Sequence, residues 1–250
     1  MRNPWQLYDD LIDLVPPGIT VRDALLGTRA FVHTDVGTGV AMMYSGGPKE
    51  AVTTREVVGK DLRDVAALVK SWDLQAAALG AAALCAALNT PERLAPWPAV
   101  EKPGQTSTFD LHAERIPTKR VAAIGHFGGI DKHVAAGDFF VLERSPSGDD
   151  LPDPACEYLL ADREEVYITG SSLVNKTLPR LLQLCAHARV VLVGPSTPFA
   201  PEVFAAQVAE IAGALVVDPA ALRREVAFGG DMSASHSGFQ QFNRIIEEQR

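Results

Sequence analysis

Three short polar segments carry most of the side chains able to do chemistry in this chain. Thr169-Gly170-Ser171-Ser172, continuing to Asn175 and Thr177, and Gly194-Pro195-Ser196-Thr197 bring together hydroxyls, a carboxamide and backbone N–H groups at small residues. Donors of that kind suit an anion or a carboxylate. Gly125-His126-Phe127 sets an imidazole directly after a short apolar run. A histidine there can ligate a metal, act as a catalytic acid or base, or bond a neighbouring backbone. Glu143 ends another apolar run and could join His126 as a carboxylate metal ligand, with Asp131 as a further one, although a solvated strand-end acid is the plainer reading of Glu143. The set names no cofactor, and a transition-metal ion is the candidate. Plainer roles compete for the loop residues too: Asn175 could bond its own backbone, and Ser196 or Thr197 could cap a following helix.

These segments need strands and helices to aim them. Val166 to Thr169 and Val190 to Val193 are apolar runs of strand character, each opening into one of the polar loops and then a helical pattern. Gly170 and Gly194 lie 24 positions apart, the spacing of one parallel βαβ unit. In open α/β sheets, ligands bind beside the carboxyl ends of the strands, where helix N-termini offer free N–H groups. Pro179 is hard to place deep in a helix, so the helix is expected to start with Thr177 as N-cap and turn Leu178, Leu181, Leu182 and Cys185 inward. Neither loop is a P-loop or a dinucleotide fingerprint, because the GxxxxGK[ST] spacing and the second and third glycines of GxGxxG are absent. Pro195 and Pro198 stiffen the second loop.

Further strands are expected at Arg120 to Ile124, Phe139 to Glu143 and Ala214 to Asp218, the last as the final parallel strand of a Rossmann-like unit. The tail from Gly238 shows a weak helical stripe of Phe242, Ile245 and Ile246. Four prolines between Pro91 and Pro103 divide the chain into units 1–95 and 116–250 joined by a linker at 96–115. In the first unit, Asn3 and Pro4 can start a helix carrying Tyr8, Leu11, Ile12 and Val15. A hairpin of Arg29 to Thr34 and Val40 to Tyr44 follows, and Val21 to Leu26 adds a strand. Asp61 can cap a helix bearing Val65, Leu68, Val69 and Trp72, and Leu74 to Leu88 forms an alanine-rich helix. That helix is apolar around much of its circumference, so it is either buried or a homodimer interface. The first unit is α+β, the whole chain α/β.

A net charge of −8 and a pI near 5.2 argue against general affinity for nucleic acid or anionic membrane. Three cysteines without CxxC spacing argue against a disulfide framework, and Cys85 and Cys185 fall on apolar helical faces. With no apolar leader-like run at the N-terminus, a cytoplasmic protein is expected. His133, the His33 and Asp35 pair, and His236 in a loop are weaker candidates for a site.

Thr169 to Leu178 together with Val193 to Pro198, supported by Gly125-His126-Phe127 and Ala86-Ala87-Leu88-Asn89, resemble the putative heavy-metal chelation family, domain of unknown function 364. The resemblance covers the whole chain. It implies an enolase-N-terminal-like unit joined to a Rossmann-like one, a ligand site between the two, and a role in handling metal or metal chelates, and it adds Asn89 and Gly125 to the residues expected at the ligand. Three functions compete: a metal-chelate handling protein, an enzyme acting on a small carboxylate or phosphorylated metabolite with His126 as acid or base, and a non-catalytic sensor or assembly subunit. The expected partner is a small anionic molecule or a metal chelate.

Overall fold

The computed structural model describes residues 3–50, 52–101, 107–229 and 238–246. Two sheets organise it. The smaller is antiparallel in the order β1-β2-β3, from Val21–Leu26 (β1), Arg29–Thr34 (β2) and Thr38–Met42 (β3). The larger has seven strands in the order β10-β9-β8-β7-β4-β5-β6. Six of them are parallel: Val121–Ile124 (β4), Phe139–Glu143 (β5), Leu151–Pro152 (β6), Glu165–Thr169 (β7), Arg189–Val193 (β8) and Glu210–Val216 (β9). Phe239–Ile245 (β10) closes the β9 edge antiparallel. The fold is the expected mixed α/β one.

The apolar runs explain the parallel strands. Val121 to Ile124 and Val190 to Val193 are buried throughout, as strands covered on both faces must be. The helix Leu74–Leu88 is capped by Asp73 Oδ1, which accepts from Gln75 N at 3.0 Å, and it is buried from Ala76 to Leu88. It packs on β2, β3 and the helix Leu62–Ala66. Its alanines permit close approach: a Cβ on Gly39 of β3 would lie 2.1 Å from Ala82 O. Apolar all round, this helix is buried within its own chain. One apolar cluster runs from Leu79 and Leu84 to Ile168 and Leu181, so the two sheets share a core.

Four local expectations change. The tail at β10 is a strand, because the unpaired edge of β9 supplies a ladder that outweighs a weak helical stripe. β9 begins at Glu210, ahead of the expected Ala214; Gly213 dilutes the strand pattern, yet a Cβ there would lie 2.6 Å from the Phe242 ring. The first helix runs Gln6–Asp13, while Asn3 Oδ1 accepts from Trp5 N in the turn before it. The 61–72 segment narrows to a 3₁₀ turn at Ala67–Lys70, leaving Trp72 58% exposed. The proline-rich stretch is also tied down: Val100 N donates to Asn243 O and Ile245 N to Pro98 O.

Candidate functional site

The chain order of the large sheet creates the site. From β4 the chain moves to β5 and β6 on one side, then returns to lay β7, β8 and β9 on the other. The order reverses between β4 and β7, and a crevice opens beyond the carboxyl ends of strands at such a point. Gly125 and Gly194 end β4 and β8 with φ of 104° and 107°, turning the chain sharply where a side chain would be strained. The crevice is a cavity of about 470 Å³, and the small sheet supplies another wall through Arg29, Met42 and Tyr44. Two hydrogen bonds join the sheets there. Met42 N donates to Ser196 Oγ at 2.8 Å, and Tyr44 Oη lies 2.8 Å from Ser171 Oγ.

Thr169, Ser171, Ser172, Asn175, Thr177, Gly194, Pro195, Ser196, Gly125, His126 and Glu143 all line this cavity, as a ligand role for them requires. Ser171 Oγ lies 2.9 Å from Thr169 Oγ1, giving a Tyr44–Ser171–Thr169 chain of hydroxyls, while Ser172 Oγ donates to Thr169 O at 2.6 Å. The loop is more regular than its composition suggests: Gly170–Ser172 is a 3₁₀ turn, and Lys176 holds φ of 69° with Nζ donating to Val174 O. Burial pushes the Lys176 ammonium down to about 8. Asn175 Oδ1 accepts from Thr177 N and Thr177 Oγ1, so its acceptor serves the loop. Thr177 precedes the helix Leu178–Leu184 without capping it through its side chain. Ser196 and Thr197 likewise do not cap the helix Pro201–Phe204.

Four expected residues stand elsewhere. Asn89 is buried and committed: Nδ2 donates to Thr197 O and Ala214 O, and Oδ1 accepts from Phe199 N at 2.7 Å. It fastens the end of the Leu74–Leu88 helix to the large sheet. Gly170 and Thr197 press together behind the wall, where a Cβ on Gly170 would lie 2.3 Å from Thr197 Oγ1. That hydroxyl is buried with no hydrogen-bond partner among the described residues. Asp131 is off the cavity wall, its Oδ1 3.5 Å from His126 Nε2.

His126 is held by an acid that sequence reasoning missed. Its Nδ1 lies 2.9 Å from Asp150 Oδ1, and Ser147 N and Oγ donate to the other Asp150 oxygen. The Asp150 hydrogen bond raises the imidazole's pKa above its ordinary value, burial opposes this, and the charges of Asp150, Asp131 and Glu143 add to the rise. Burial works against the Asp150 carboxylate, but bonds from His126 and Ser147 outweigh it and hold its pKa below the ordinary range. Glu143 is consumed by backbone: Oε2 accepts from His126 N, and Oε1 from Arg144 N and Ser145 N. Among the described residues no three His, Cys, Asp or Glu side chains are grouped to hold a metal ion.

Charge on the wall is mostly paired. Arg144 Nε donates to Asp153 at 3.0 Å and Arg180 Nε to Glu157 at 2.8 Å. Arg29 differs: its Nη1 donates only to Thr28 O, and it has no carboxylate partner among the described residues. Burial lowers its pKa, and the electrostatic effect of Tyr44 works the other way. Sequence reasoning missed Arg29, Arg144 and Arg180. Arg29 lies in β2, far from the loops in sequence, and only the docking of the sheets brings it to the cavity. The weaker candidates are engaged elsewhere: His133 with Asp110 at 3.0 Å, His33 with Thr38 at 2.7 Å and Asp35 with Arg22. Cys85, Cys156 and Cys185 are free and buried, and Cys156 touches the cavity with its thiol pushed up to about 11, chiefly by burial. His236 lies outside the described residues.

Sequence and structure comparisons agree on a class. Residues 107–244 match the DUF364 family, described as "Putative heavy-metal chelation", and residues 8–88 match the DUF4213 family of the same description. The chain belongs to the DUF364 family. A DUF364-family protein of unknown function from Desulfitobacterium hafniense superposes with a TM-score of 0.88 at 32% identity, over 98% of this chain and 100% of that one. Another, PH1506 from Pyrococcus horikoshii, gives 0.78 at 18% identity over 97% and 99%, a likeness of fold. The uncharacterized protein MJ0500 of Methanocaldococcus jannaschii is 29% identical over 154 residues, 59% of this chain and 57% of the relative. The chain thus spans somewhat over half of that curated relative. Among the described residues no helix is long and apolar enough to cross a membrane.

Proposed function

We propose that this protein binds a small anionic chelate of a metal ion in the cavity between its two sheets, the metal arriving as cargo inside its chelator. The observation that carries this reading is Arg29: a half-buried guanidinium without a carboxylate partner among the described residues, in a wall whose other arginines are paired. An uncompensated cation in a partly dry site recruits an anion, and guanidinium geometry suits carboxylate oxygens. The Tyr44–Ser171–Thr169 chain keeps one hydroxyl proton beyond its two internal bonds, Ser196 Oγ accepts from Met42 N and keeps its own proton to donate, and a cavity of about 470 Å³ admits a small organic molecule. The metal in this reading is taken from the family's description. Removing the cation tests the reading. Arg29→Met should weaken an anionic chelate by about tenfold or more in calorimetry, the scale of a lost hydrogen bond to a charged group; unchanged affinity would refute it.

A second reading, an acid–base enzyme, draws on the Asp150–His126 pair. Asp150 at Nδ1 fixes the ring and leaves Nε2 for proton transfer. Turnover of a small carboxylate or phosphorylated metabolite, abolished in His126→Gln, would favour it.

A further inference from the structure

The main cavity has a side slot. It shares Phe127, Gly194, Pro195 and Gln241 with the main cavity and continues beyond the carboxyl end of β8 toward β9 and β10. Its volume is about 160 Å³, close to the roughly 150 Å³ that accommodates one benzene ring in an apolar protein cavity. The floor is made of small side chains, Ala212 and Gly213, and the sides are aromatic. Phe109 and Phe127 lie 5.2 Å apart with their rings tilted 49°, and Phe242 is buried on the other side.

Among the described residues none of the slot's lining side chains is ionisable. Its polar side chains are Ser107, Thr108 and Gln241, and Thr108 Oγ1 already accepts from Asn243 Nδ2 at 3.2 Å. Such a space favours a flat, uncharged group set against the aromatic rings, with any polar edge turned toward Ser107 or Gln241. The main cavity, by contrast, presents Arg29 and hydroxyls. The two halves therefore ask for different parts of one molecule.

We infer that the bound chelator carries a six-membered aromatic ring beside its anionic donor head, with the ring in the slot between Phe109, Phe127 and Phe242. This rests on the proposed binding of an anionic chelator and adds its chemical class. The ring should stack at an offset or an edge against the phenylalanines while the head stays in the main cavity near Gly194 and Gln241.

A matched pair of probes separates ring from head. Salicylate and 3-hydroxypropanoate present the same carboxylate and β-hydroxyl, one with the ring and one without. Titrated into the intact protein and followed by NMR, salicylate should bind at least about tenfold more tightly, the scale expected for burying one ring. Its ring protons should show Overhauser contacts to the Ala212 methyl and the Phe242 ring. Equal affinities, or bound salicylate lacking those contacts, would overturn the ring assignment while leaving anion binding intact. Binding of neither probe would overturn both.

Discussion

His126 and Arg29 both line the cavity, the imidazole paired with Asp150 and the guanidinium without a carboxylate partner among the described residues. Because the hydrogen bond to Asp150 raises the imidazole's pKa, its protonated form persists above the ordinary histidine range. The stabilisation this gives the fold is fully present below the unfolded-state pKa and is lost as pH rises through the folded value. Asp150→Asn should move the His126 titration, followed by NMR, down toward the ordinary histidine value; an unmoved midpoint would show that Asp150 does not set it. Anion binding that uses the imidazolium should weaken over the same rise in pH. At this scale the sequence was only partly legible. The hydroxyl loops and His126 announce themselves by sitting at strand ends, whereas Asp150 lies in a separate loop and pairs with His126 only through the β4–β5–β6 edge. Asn89 misleads for the same reason, since nothing in Ala86-Ala87-Leu88-Asn89 shows that its carboxamide meets three backbone groups of the other sheet.

At the scale of elements, the parallel strands were legible because strands buried on both faces are continuous apolar runs, and the Leu74–Leu88 helix because all of its residues but Gly80 and Cys85 are Ala, Leu or Gln. The β10 strand was not, since its place depends on an edge that exists only after the sheet forms. Two elements hang on single side chains. Asn89→Ala would strand Thr197 O, Ala214 O and Phe199 N without their partner, and a loss of about 3 kcal/mol or more in denaturant unfolding is expected. A loss below about 1 kcal/mol would show that these groups find other partners. At the opposite end of the large sheet, Glu210 is fully buried, near His112, Arg189 and Asn243. Burial alone would raise its pKa, but these partners together lower it to about 2. Its stabilising effect is therefore present above the ordinary carboxylate pKa and disappears as pH falls toward 2. Glu210→Gln should destabilise the protein at neutral pH by about 3 kcal/mol, because it takes the buried carboxylate away from Arg189, and should flatten the decline in melting temperature between pH 4.5 and 2. A parallel acid decline in both proteins would contradict this.

The whole molecule is two sheets with one shared core and a cavity where they meet. The large sheet brings the loops of the switch point, the small one brings Arg29 and Tyr44, and neither alone completes the wall. Against a net charge of −8 on the chain, a guanidinium without a carboxylate partner among the described residues is a local exception, and under the proposed function it draws an anion to the cavity rather than to the surface. The sequence shows both sheets but not their docking, which is why the loops were legible and the opposing wall was not. Under the proposed function the protein takes a metal through its chelator's oxygens. Isothermal titration of the untagged protein with nickel(II) citrate, nickel(II) alone and citrate alone tests it. One nickel(II) citrate per chain, bound more tightly than either component, is the predicted result; nickel(II) alone binding as tightly as its citrate complex, or no binding of the complex, would contradict it.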